Sequence, residues 1–143
     1  MKAFKFRLQA ALQHRELLLE VAQSDLAQAI EKLDLAEKLL MECHGRIQTF
    51  VDAAPKPGSQ FDANQELIRQ RHIYQIREEA DRREAIVKQL EETKQEKVDA
   101  VAQAHRDLRA LEILEEKEKA AWLLEFKRNE QKELDEFGTR NRD

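Results

Sequence analysis

Residues 53–60 read Ala53-Ala-Pro-Lys-Pro-Gly-Ser-Gln60, which places Pro55, Pro57 and Gly58 side by side in the middle of a chain otherwise almost free of both residue types. Proline cannot donate a helical hydrogen bond, and glycine readily takes the conformations that end helices, so no helix passes through this point. Asp62, with Gln65 three residues on, has the form of a capping box at the start of a second helix. The stretch therefore predicts two helices joined by one turn: helix one over about 3–52, the turn over about 53–61 and helix two over about 62–137. A short tail follows, with Gly138 as C-terminal cap.

Working back from the turn, spacings alternating between three and four residues pick out Leu8, Leu12, Arg15, Leu19, Ala22, Leu26, Ala29, Leu33, Ala36, Leu40, Cys43, Ile47 and Phe50. All but Arg15 are apolar. A repeat of 3.5 sustained for this long is the signature of a coiled coil and predicts left-handed supercoiling. Leucine alternates with the small residues Ala22, Ala29, Ala36 and Cys43, which suits close approach of a single partner helix. A wider bundle would be left with voids.

Working forward, the matching seam is Ile73, Ile76, Ala80, Arg83, Val87, Leu90, Lys94, Lys97, Val101, Ala104, Leu108 and Leu111. Arg83, Lys94 and Lys97 are polar insertions of the kind that fix register at some cost in stability. Asp34/Lys38, Glu78/Arg82, Glu79/Arg83, Glu84/Lys88 and Glu115/Lys119 each place an acid four residues before a base, which lends modest helix support. No run of strict apolar/polar alternation argues for a strand. The fold class is all-α: a long two-helix antiparallel coiled-coil hairpin forming a single domain. At 1.5 Å per residue the helices would measure about 75 Å and about 115 Å, so the second overhangs the first. Folding back at the turn sets Leu8 near Ala104–Leu108 and leaves residues beyond about 112 unpartnered.

Of 143 residues, 38% are charged, too many for a rounded globular core. The net charge of -4 argues against a nonspecific nucleic-acid binder. That charge is uneven: Lys2, Lys5, Arg7 and Arg15 precede the first acid, whereas residues 16–52 carry eight acids against three bases. The single cysteine, Cys43, cannot close an intramolecular disulfide and reads as a buried structural thiol. The start MKAFKFRLQA lacks the apolar core of a secretion signal, and no stretch approaches the roughly 20 apolar residues of a membrane span, so a cytoplasmic location is expected. The four histidines are dispersed and no second cysteine completes a zinc site. No phosphate-cradling loop or hydrolase constellation is present, so neither catalysis nor a cofactor, metal or small-molecule substrate is expected.

Two stretches carry a family resemblance: Phe4-Lys-Phe-Arg-Leu-Gln9, and Ala120-Ala-Trp-Leu-Leu-Glu-Phe-Lys-Arg-Asn-Glu-Gln-Lys-Glu-Leu-Asp-Glu-Phe137. In these, and in its length, turn position and longer second helix, the chain resembles the FliJ family of the bacterial flagellar type III export apparatus. The resemblance implies a non-catalytic stalk inserted into the hexameric flagellar export ATPase, contact with the membrane export gate near the turn, and handling of export chaperones. It also implies a monomer, peripherally associated with the inner membrane at the flagellar base. By position, Lys2, Lys5, Phe6 and Arg7 with Trp122, Phe126, Lys127, Arg128 and Lys132 would meet the ring. Ile47, Phe50, Ile73, Tyr74 and Ile76 would meet the gate, although Arg69, Arg71, Arg77 and Glu79 interrupt the apolar stripe the family resemblance leads one to expect there. Two alternatives share the helical reading: the equivalent stalk of a virulence-type secretion system, and a structural homodimeric coiled coil.

Overall fold

A computed structural model describes residues 2–142 and contains two helices, α1 (Gln9–Asp52) and α2 (Ala63–Arg142). The junction is built as the prolines and glycine dictate. Gly58 takes φ 85°, Ser59 donates to the Lys56 carbonyl from both its amide (3.1 Å) and its hydroxyl (2.6 Å), and α1 ends where the Ala53 amide reaches Thr49 O. Asp62 then caps α2, its Oδ1 accepting the Asn64 amide at 2.9 Å. No hydrogen bond from Gln65 completes the reciprocal box among the described residues.

Apart from Arg15, every residue of the α1 repeat is at least partly withdrawn from solvent, and so is every residue of the α2 seam. The chain packs as two units. One comprises Gln23–Asp99, in which Cys43, fully buried, meets Ile76 and Ala80 under Leu40, Ile47 and Phe50. The pairing is antiparallel, with Arg46 bound to Glu79 at 2.9 Å and Phe50 stacked on His72. The small side chain at 43 lets α2 come close enough to exclude water altogether. The Glu79–Arg83 pair expected along α2 forms at 3.1 Å, so Glu79 bridges both arginines. Lys94 and Lys97 lie half-buried, an arrangement in which the aliphatic stem covers apolar surface while the ammonium stays wet.

The other unit joins residues up to Ala22 with those from Ala100 onward. Its core is Phe6, Leu12 and Leu108, flanked by Phe4, Leu8, Leu19, Leu111 and Leu114. It too is antiparallel, with Arg7 on Glu118 at 2.8 Å and Arg15 on Asp107 at 3.3 Å.

Here the structure departs from the sequence reading. α1 does not start near residue 3. Residues 2–6 are extended, a turn follows at Arg7–Leu8, and helix begins at Gln9. Phe4-Lys5-Phe6-Arg7-Leu8 is in fact a run of strict alternation. As helix it would turn Phe6 away from Phe4 and Leu8. As an extended strap it turns all three inward, burying Phe6 and half-covering Phe4 and Leu8, and turns Lys5 and Arg7 outward. Burying the additional phenylalanine is worth about 1.5–3 kcal/mol, more than a few marginal helical residues would gain. Extended chain also reaches about twice as far per residue as helix. The strap therefore reaches along α2 as far as Trp122, on which Phe126 stacks, and the fully exposed overhang starts near residue 127 rather than 112.

α2 also runs past Phe137 to Arg142, with Gly138 inside it as an ordinary helical residue. The Thr139 hydroxyl donates to the Asp135 carbonyl at 2.8 Å, and no proline follows to stop the helix.

Candidate interaction surfaces

At the strap end, the Phe4 ring sits 6.0 Å from Trp122 at 52°, and Trp122 stacks on Phe126 at 5.4 Å and 25°. These aromatic positions continue the α2 seam, which is why residues outside the expected helix pairing are still half-covered. Phe6 is only 7% exposed and Arg7 is tied to Glu118, so both hold the strap down as well as lying beside the aromatic face. Lys2 and Lys5 stand in solvent above a groove of about 850 Å³ that also meets Phe4, Trp122, Glu118 and Glu125. Lys127, Arg128 and Lys132 are exposed on the next turns of α2, the last two lining a smaller groove of about 610 Å³ with Leu124. All nine residues expected at a ring-facing end thus fall within one unit.

The turn end is different. Ile73 and Ile76 are each 8% exposed, and Ile47 and Phe50 are half-buried in the same helix–helix seam. Arg69 donates to the Phe50 carbonyl at 2.9 Å while its other nitrogens grip Glu66, locking that layer. Four of the five expected gate residues therefore serve the fold, and Tyr74 alone stands outside. Beside it lies a groove of about 490 Å³ lined by Val51, Ala54, Arg69, Ile73, Tyr74 and Arg77.

Among the exposed apolar groups that the heptad reading passes over are Phe61, Leu67 and Ile68 after the turn, and Leu134 and Phe137 in the overhang. Their signal in the sequence is that they are large, apolar and off the seam spacing.

The charge clusters are structural in form. Hydrogen bonding from Arg69 holds the Glu66 carboxyl below its ordinary range. Arg83 first, and Arg46 second, do the same for Glu79. Arg46 is pushed up by its hydrogen bonds to the Cys43 sulfur and to Glu79. No set of three His, Cys, Asp or Glu side chains among the described residues is arranged to hold a metal. No helix among them is long and apolar enough to cross a membrane.

What the geometry offers is helix surface, aromatic and basic in one unit and apolar in the other, which defines a coiled-coil hairpin of the protein-recognition class. More particularly, the family described as "Flagellar FliJ protein" matches residues 4–142, nearly the whole chain, and the chain belongs to that family. It is accordingly a component of flagellar protein export, in a family whose members are structural rather than catalytic. No curated protein and no solved structure matches it.

Proposed function

We propose that the chain is a stalk that couples the hexameric flagellar export ATPase to the membrane export gate and handles export chaperones. It works as a monomer in the cytoplasm, at the inner-membrane base of the flagellum. The observation that carries this reading is the strap end. Trp122 and Phe126 form a half-exposed aromatic face, Lys127, Arg128 and Lys132 continue it, and the strap brings Lys2, Lys5, Phe6 and Arg7 alongside. An aromatic centre with a cationic rim is the composition of a protein-binding hot spot. At the turn end, Tyr74 and the neighbouring groove are the exposed part of the gate contact, while Ile47, Phe50, Ile73 and Ile76 shape it from beneath.

Phe126→Asp places a charge on the aromatic face and leaves the α1–α2 seam untouched. Binding to the cognate export ATPase in a pull-down should fall by about tenfold or more, with helicity by circular dichroism unchanged. Wild-type binding by this variant refutes the assignment of the ring contact.

A further inference from the structure

We propose that the strap, residues 2–8, is a latch over the aromatic face of α2, docked in the isolated chain and displaced when a partner takes that face. The inference rests on the α2 half of the ring reading, Trp122, Phe126, Lys127, Arg128 and Lys132, and moves the strap's Phe6 and Arg7 from the docked surface to holding that face closed until the ring takes it. Phe4, Phe6 and Leu8 all turn inward, Phe4 onto Trp122 and Phe6 into the core beside Leu108, so the strap occupies the surface a partner's apolar side chains would need.

The strap is held by side chains rather than by backbone pairing. Among the described residues its main-chain bonds are those that open α1, from the Gln9 amide to Phe6 O and from the Leu12 amide to Leu8 O. The Arg7–Glu118 pair fastens it, but the Arg7 side chain is 66% exposed, and ion pairs in such settings hold weakly. Because α1 starts at Gln9, after the turn at Arg7–Leu8, the strap can lift while the helix pair behind it stays closed. One buried ring, one half-buried ring and one wet ion pair make a contact strong enough to stay shut alone and weak enough for a tight-binding partner to displace.

Trp122 is the only tryptophan, so its fluorescence reports the latch directly. The test compares the full chain with its Phe4→Ser/Phe6→Ser variant in two measurements, acrylamide quenching of Trp122 and affinity for the purified export ATPase. Removing the two rings should raise the open population by about tenfold or more. Quenching then rises toward that of free tryptophan, and the ATPase binds more tightly by the factor by which the open fraction grows. Arg7→Glu should loosen the strap in the same direction but less, and adding Glu118→Arg should return quenching to the wild-type level. Unchanged quenching in the Phe4→Ser/Phe6→Ser variant overturns the latch, because the strap then covers nothing. More quenching with equal or weaker ATPase binding also overturns it, and makes the strap part of the docked surface instead. If neither form binds the ATPase, the ring reading falls and the latch falls with it.

Discussion

Replacing Leu33 with alanine and, separately, Leu35 with alanine tests the register of the whole seam, because the two leucines are two residues apart on one helix. Leu33 is 5% exposed and Leu35 60%. Truncating a buried leucine removes its transfer free energy and leaves a cavity, for a cost of about 2–5 kcal/mol. A two-helix seam can partly close around the gap, which puts Leu33→Ala near the lower end, about 2–3 kcal/mol. Leu35 already faces water, and its loss should cost no more than about 0.5 kcal/mol. At about 3 °C per kcal/mol for a chain of this size, thermal melts followed by far-ultraviolet circular dichroism should show Leu33→Ala lower by about 6–9 °C and Leu35→Ala within about 2 °C of wild type. Equal shifts, or a larger one for Leu35, would mean the seam is not where the 3.5-residue repeat places it. The same melts should not depend on protein concentration. A Tm that climbs with concentration would place the seam between two chains and refute the hairpin.

The remaining predictions are independent of that one. Glu66 and Glu79 titrate below the ordinary 4.5 in the folded chain, so the stability they lend is complete above pH 4.5 and is lost as pH falls through their lowered values; an acid titration of Tm should turn down only below that point. Gly58→Ala forces a left-handed φ on a residue with a Cβ that meets no neighbour, so the cost is backbone strain alone, about 1–2 kcal/mol and visible as a drop of a few degrees in Tm. Cys43 is completely covered, so its alkylation by a neutral maleimide should track opening of the seam and speed up with denaturant; instant labelling of the native chain would contradict its burial.

Much of this architecture is legible in the amino-acid order because it rests on local rules. Pro55, Pro57 and Gly58 break a helix whatever surrounds them, and Asp62 can cap one unaided. The repeat from Leu12 to Phe50 aligns one face at every turn regardless of what that face meets. Seam positions as weakly apolar as Lys94 and Lys97 were still placed correctly by spacing alone, since the period outweighs the identity of any single residue.

Tertiary structure decided the two ends. Phe4-Lys5-Phe6-Arg7-Leu8 is compatible with helix or extended chain, and only the presence of α2 beside it makes the extended form the one that turns both phenylalanines inward. That choice moved the boundary of the free overhang and changed Trp122 from a bare residue into a half-covered one. At the turn, Ile47, Phe50, Ile73 and Ile76 lie in the helix pair as their seam spacing predicts, so of the residues that the family resemblance offers to a gate only Tyr74 is left outside. Spacing along a chain says which residues share a face. Which competing surface covers that face depends on contacts between Phe4 and Trp122, or Phe50 and His72, that are distant in sequence and exist only once the chain has folded back on itself.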